Sequence, residues 1–218
     1  MESKSRSSAL SVVCVTEVKS SAGIVGMTTK EIRTPVENLT WCLPRPRRNN
    51  PIPGCFPQHF EKKLMALLGW PKKILHPFGG RAEYGLRVDV RPEVFPDILG
   101  DAHSLPFKEG AFDCVLLDPP YNLDYSQRLY STNNIHPVKA AQEAVRVCKE
   151  GGWVVWYHLV AMPVPPHTIL THRILLETRL YHAARIIHVH QKNTEAYHKR
   201  GIAMGLEQCS LCKAFYGS

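Results

Sequence analysis

From about residue 55 onward, apolar positions gather in short runs that end in loops. Phe60, Leu64, Leu67 and Leu68 recur at i, i+4, i+7 and i+8, which is one face of a helix. Pro57 suits the first turn of that helix, and Gly69 with Pro71 closes it. Short apolar runs follow at 73–78, 86–89, 97–99 and 112–117. A second helix is expected over about 137–148, with Val138, Ala141, Ala144, Val145 and Cys148 on one face and Glu150-Gly151-Gly152 stopping it. Residues 153–160 are apolar almost throughout, as in a strand covered on both faces. Two later β-rich runs, about 169–177 and 184–191, read as a terminal antiparallel pair. Strands alternating with helical segments imply an α/β doubly wound sheet. No internal repeat is visible.

Before residue 55 the pattern fades. Residues 1–50 carry eight Lys and Arg against four Glu, half of the net charge of +8. The stretch 43–54 is rich in Pro, Arg and Asn and reads as extended linker. The expected organisation is a basic, partly irregular arm and linker over 1–54, a domain over 55–192 and a C-terminal tail over 193–218. The arm is either solvated or phosphate-tracking, and the solvated reading is the simpler one. A pI near 9.2 suits a polyanionic partner such as nucleic acid. The 44% hydrophobic and 21% charged composition is that of a globular chain and excludes fibrous classes. Seven cysteines cannot all pair with one another, and they form no small-scaffold framework. A reduced, cytoplasmic or nucleoid-associated setting is therefore expected. No stretch approaches the ~18 apolar residues of a membrane span, and no membrane partner is expected.

The sharpest local signal is the apolar run 112–117 leading directly into Asp118-Pro119-Pro120-Tyr121. Two prolines cannot continue a central strand, so the chain leaves the sheet there. Ligands bind at the carboxyl ends of strands in open α/β sheets. A carboxylate, a rigid carbonyl and an aromatic ring are thus presented together. That trio suits an exocyclic base amine, a poor nucleophile because its lone pair is delocalised into the ring. Accepting its two N–H groups on the Asp118 carboxylate and the Pro119 carbonyl favours a pyramidal nitrogen and stabilises the charge developing on it. Tyr121 is placed to stack on the base. The bland alternative is a strand-ending turn, for which Asp and Pro are favoured.

With this tetrapeptide preceded by a strand ending in His76-Pro77-Phe78-Gly79-Gly80, the chain resembles the S-adenosylmethionine-dependent amino-methyltransferases that act on DNA bases. The resemblance covers about residues 55–191. It implies a Rossmann-like class I methyltransferase sheet and S-adenosylmethionine as cofactor. It also implies that Phe78, Gly79 and Gly80 lie under the cofactor. The family pattern is similar to D-P-F-x-G-x-G, so His76 stands for the aspartate and Ala82 for the last glycine. Asp89 matches the acid that meets the ribose hydroxyls. Asp101, with Ala102 beside it, matches the acid near the adenine amino group. Phe56-Pro57 matches a further cofactor contact. Only eleven steps separate Phe78 from Asp89. The first crossover helix must be a single turn or absent, and Glu83 becomes the candidate to replace the missing aspartate.

The expected activity is methyl transfer to a nucleic-acid base amine, most simply adenine N6 in DNA. Cytosine N4, an RNA base amine and a non-catalytic binding subunit are the alternatives. The chain has little room for a target-recognition domain. A partner protein, a second copy or residues 1–50 would then supply recognition. Cys209-x-x-Cys212, with His182, His188, His190 and His198 upstream, lacks the second pair of a convincing zinc site, so no metal is expected. Tyr125, Arg128 and Tyr130 either line a nucleic-acid groove or simply pack.

Overall fold

A computed structural model describes residues 36–46, 55–120, 135–179 and 183–203 of the chain. Its elements are β1 (Glu37–Cys42), α1 (Phe60–Leu67), β2 (Ile74–His76), β3 (Leu86–Asp89), β4 (Ile98–Leu99) and β5 (Phe112–Leu117), followed by α2 (Pro137–Val147), β6 (Cys148–His158), β7 (Thr168–Glu177), β8 (Arg185–Lys192) and α3 (Thr194–Ala203). The strands form one sheet in the order β1-β7-β8-β6-β5-β2-β3-β4. From β6 to β4 every pairing is parallel. β8 runs antiparallel to both β6 and β7, as the pattern at 169–177 and 184–191 implied.

Each face of the sheet has its own core. Phe60, Leu64 and Met65 of α1 pack with Cys114, Val155, Ile174 and Val189 on one face. Ala141, Ala144 and Val145 of α2 pack with Val115, Leu117, Val154 and Trp156 on the other. Residues 114–117 of β5 and 153–157 of β6 are apolar because both their faces are covered. Lys192 is buried, and its ammonium donates to the carbonyls of Val145 and Cys148, both at 2.8 Å. It thereby satisfies carbonyls that α2 leaves open at its C-terminus.

Several boundaries differ from those expected. Residues 37–42 are not arm or linker but an eighth strand, paired in parallel with β7. Trp41 is buried there, while Cys42 and Asn38 face solvent, so this strand obeys a period of two. The stretch from 193 is not simply a tail, because Thr194–Ala203 is helical and Thr194 is bound at both its N–H and hydroxyl by Glu150. In α2 the buried stripe is centred on Ala140, Ala144 and Val147, which turns Val138 to solvent. That helix ends before the glycines, since Cys148 already takes extended backbone and opens β6. Between β2 and β3, residues 77–85 form turns with no helix, as the short spacing required.

Candidate functional site

The strand order reverses between β2 and β5: β3 and β4 lie to one side of this pair, β6 to the other. In a parallel α/β sheet such a reversal opens a crevice at the carboxyl ends of the strands, because the two connections leave in opposite directions. His76 ends β2 and Leu117 ends β5, so the crevice is bordered by residues 77–85 on one side and by Asp118-Pro119-Pro120 on the other.

The first border is a compact turn. The Gly79 N–H donates to Val88 O at 2.8 Å, pulling the turn against β3. A Cβ at Gly79 would lie 2.6 Å from that of Arg87, so only glycine permits this approach. Gly80 takes φ +42 and donates its N–H to Asp89 Oδ2 at 3.1 Å. Gly80 and Asp89 are thus brought together, and Asp89 is heavily engaged. Arg91 Nε meets its Oδ1 at 3.0 Å and Arg91 Nη2 its Oδ2 at 3.0 Å, with the Arg91 N–H adding a bond to Oδ1 at 3.1 Å. Phe78 is half-buried against the α2-side core, and Ala102 is buried.

His76 is almost fully buried, and Phe56 lies beside it with ring centroids 6.2 Å apart. Pro57 is buried, and Phe56 also packs on Phe60 and Tyr157 at 5.0 Å each. The carboxylate next to His76 is that of Glu61, whose Oε1 is 3.8 Å from His76 Nε2. Glu61 accepts the Glu83 N–H on both oxygens at 3.0 Å and the Tyr84 N–H at 3.4 Å. The side chain of Glu83 is itself exposed, and Glu83 enters the site through its backbone. Burial pushes the Glu61 carboxyl up to about 7, against the lowering effect of those backbone bonds. Burial pushes His76 down to about 4, against a hydrogen bond with the Tyr84 backbone, so His76 is neutral at physiological pH. Sequence reasoning passed over Glu61. The signal was present: Glu61, Leu64, Met65 and Leu68 fall at i, i+3, i+4 and i+7, so a carboxylate stands on an apolar stripe.

After β4, Asp101 is exposed but not free. His103 Nδ1 lies 2.6 Å from its Oδ1, the His103 N–H donates to the same oxygen at 2.9 Å, and His103 Nε2 accepts the His136 N–H at 3.0 Å. Desolvation raises the Asp101 carboxyl, but the two His103 bonds outweigh it and hold the group below the usual carboxylate range.

The second border follows β5. Asp118 is half-buried and Pro119 is buried. Desolvation pushes the Asp118 carboxyl up to about 8, with Arg185 at the start of β8 pulling the other way. His158, buried at the end of β6, is hydrogen-bonded to the Pro120 backbone. Its Nδ1 accepts the Val160 N–H at 3.2 Å, which leaves Nε2–H to donate to the Pro120 carbonyl. Burial lowers His158, consistent with that neutral form. His158 and Arg185 were also passed over, because within 153–160 and 184–191 they read as strand residues. Tyr121, Tyr125, Arg128, Tyr130, His182, Cys209 and Cys212 lie outside the described residues. Among the described residues, no group of three or more His, Cys, Asp or Glu is placed to hold a metal ion. No helix among them is long and apolar enough to cross a membrane.

A sheet in which five parallel strands reverse at β2/β5 and an antiparallel strand is inserted beside the second-last position is the class I methyltransferase arrangement. The chain has the class I methyltransferase fold. Solved structures similar to it include an S-adenosylmethionine-dependent methyltransferase from Thermotoga maritima, at TM-score 0.30 and 19% identity, covering 44% of this chain and 48% of that one. The N-methyltransferase NodS from Bradyrhizobium japonicum gives TM-score 0.43 and 11% identity, over 62% of this chain and 98% of that one. An S-adenosylmethionine-dependent methyltransferase from Aquifex aeolicus gives 0.40 and 11%, over 61% and 89%. The chain spans about half the length of the Thermotoga protein it matches. No protein-family model and no curated protein sequence matches the chain. The methyltransferase fold here carries an extra edge strand, β1, and lacks the first crossover helix.

Proposed function

We propose that the chain transfers a methyl group from S-adenosylmethionine to an exocyclic amine of a nucleic-acid base, with adenine N6 in DNA as the leading substrate. The observation that carries this reading is the desolvated Asp118 carboxylate, set on a Pro-Pro backbone at the switch point of the sheet. The residues on the β2 side fit the cofactor. Gly79 and Gly80 bring backbone close to the crevice, and His76 Nε2 is a buried acceptor with no partner. Phe56, Phe78 and Gly80, with Asp101 after β4, would hold the cofactor, which supplies an electrophilic methyl on a sulfonium sulfur.

The chain's own residues then act on the amine. An ionised Asp118 accepts one amine N–H and the Pro119 carbonyl the other, which frees the nitrogen lone pair and steadies the charge growing on it. His158 holds the Pro120 carbonyl, and so keeps the neighbouring Pro119 carbonyl in a fixed direction. The base must leave its stack or come from a single strand to reach this position. A proton leaves the methylated nitrogen without a dedicated base, since that nitrogen is cationic after transfer. Nucleic acid is the proposed partner, and a second protein or second copy is the proposed source of sequence recognition.

One observation favours a second reading. Both oxygens of Asp89, the acid matched to the ribose hydroxyls, are taken by Arg91 and Gly80. A chain in which they stay taken would be a nucleic-acid-binding subunit with no cofactor. Incubation with methyl-labelled S-adenosylmethionine and separate DNA and RNA pools, followed by digestion to nucleosides, tests the first reading and names the atom. Label in N6-methyladenine is the expected result. Label in neither pool, together with no cofactor binding at millimolar concentration, leaves the binding-subunit reading standing.

A further inference from the structure

We propose that Arg45, Arg179 and Arg185, at one edge of the sheet, grip the phosphate backbone of a single-stranded nucleic acid and lead it to Asp118. The inference rests on the nucleic-acid reading above and extends it to the path that the strand takes.

Strand register draws the line. Cys42 pairs with Glu177, Leu176 with Arg185, Ile186 with His158, and Trp156 with Leu117. These positions are level, so β1, β7, β6 and β5 all end, and β8 begins, along the edge that holds Asp118. Neighbouring strands lie about 4.8 Å apart, so that edge runs about 19 Å from Asp118 to the end of β1. Arg185 opens β8, Arg179 follows the end of β7, and Arg45 follows the end of β1. The chain around Arg45 is held in place on both sides. The Leu43 N–H donates to the Glu177 carbonyl at 2.9 Å, and the Gln58 N–H to the Pro44 carbonyl at 2.9 Å. Gln58 Nε2 donates to the Arg45 carbonyl at 2.8 Å. The side chains of Arg45 and Arg179 are exposed, and Arg185 is half-buried. Arg185 joins the line to the candidate site, since its charge acts on both Asp118 and His158.

The opposite ends of the same strands differ. There Lys149 Nζ lies 2.6 Å from Asp113 Oδ1, and Glu37 Oε2 lies 3.4 Å from His172 Nε2. The Lys192 ammonium is spent on the carbonyls of Val145 and Cys148. Along the arginine edge, the acids at the described strand ends are Glu177, 3.7 Å from the Cys42 thiol, and Asp118 itself. Cationic charge is therefore concentrated on the edge that carries the candidate site. A guanidinium fork matches the oxygens of a phosphate better than an ammonium does. Three forks in single file suit one backbone, whereas a duplex presents two across a groove. Val160, 57% exposed and two positions past His158, adds apolar surface on which an unstacked base can rest. On this proposal the Pro–Arg stretch at 43–46 tracks phosphate instead of trailing in solvent.

Fluorescence anisotropy with a short labelled oligothymidylate, titrated across a range of potassium chloride concentrations, tests the proposal. Each phosphate contact on a single strand adds about 0.7 to the slope of log affinity against log salt. Arg45→Gln or Arg179→Gln alone is expected to weaken binding about fivefold at ~0.1 M salt. The triple variant Arg45→Gln, Arg179→Gln, Arg185→Gln is expected to weaken it about a hundredfold and to flatten the slope by about 2. A control triple at the opposite edge, Lys72→Gln, Lys73→Gln, Lys108→Gln, removes the same charge from exposed side chains and is expected to leave the slope unchanged. Equal losses in the two triples, or no loss in the arginine triple, overturn the proposal and leave the nucleic-acid reading intact. Tighter binding of the oligothymidylate when paired with oligodeoxyadenylate overturns the single-strand path. Failure of the native chain to bind either form at low salt overturns the nucleic-acid reading, and this proposal with it.

Discussion

The carboxylates along the carboxyl edge of the sheet fall into two groups. On the β3–β4 side, Asp89 is locked by Arg91 and by the Gly80 N–H, and Asp101 is bound by His103. Glu61 and Asp118, which flank the switch point, are desolvated and pushed upward to about 7 and about 8. The first group is already satisfied by the protein and shapes the loops. The second sits in desolvated surroundings, which is where a charged ligand gains most from arriving. Sequence alone ranks Asp89, Asp101 and Asp118 by motif position and passes over Glu61. The structure separates them by burial and by their charged partners.

The largest effect that would sharpen this contrast is on catalysis. Asp118→Ala should lower methyl transfer by about 10²- to 10³-fold, the range for loss of one preorganised polar group, with cofactor affinity by calorimetry nearly unchanged. Full transfer in that variant would erase the distinction. Next is pH. Asp118 accepts an N–H only when ionised, and its raised value keeps it protonated below about 8. Transfer by the native chain should therefore climb about tenfold per unit from pH 6 and level off above about 8. A flat profile would place Asp118 with the satisfied acids.

The same shift carries a stability consequence of defined sign. A carboxyl raised on folding holds its proton in the native state, so its favourable contribution is present at low pH. It is lost as pH rises from the ordinary carboxylate range through about 8. Asp118→Asn should accordingly raise the melting temperature by a few degrees at pH 8.5 and change it little at pH 4. On the other side of the comparison, Arg91→Ala should destabilise the fold by about 2 kcal/mol in urea titration, because Asp89 is buried and loses its charged partner. The smallest effect is expected for His103→Ala, below about 1 kcal/mol, since the Asp101 side of that pair is exposed.

The legible parts of the molecule are those where a local pattern and its packing agree. The run into Asp118-Pro119-Pro120, the apolar β6 and the terminal antiparallel pair are of this kind, as is the helix-free turn forced by eleven steps between Phe78 and Asp89. What escaped depends on partners distant in the chain. Glu61 is buried because two N–H groups more than twenty positions later reach it. β1 does alternate, with Leu39 and Trp41 turned inward, but flanking charge and proline hid six residues whose strand partner among the described residues is β7. His158 looked like one more strand position because its role depends on Pro120 in a neighbouring loop.

β1 also bears on how the chain reaches its folded state. A bare strand edge offers unpaired N–H and C=O groups to other chains and so invites aggregation. At one margin the sheet ends in β4, whose two residues are too few to template such pairing. At the other margin β7 is ten residues long, and β1 is what seals it. The sealing strand is made early, yet the residues it meets lie 135 positions later, as Cys42 and Glu177 do. Loop closure over that separation is slow. Each nascent molecule must therefore carry β7 uncovered until most of the sheet is assembled. The service of β1 is counted in folding yield at high protein concentration, more than in the strength of the finished sheet.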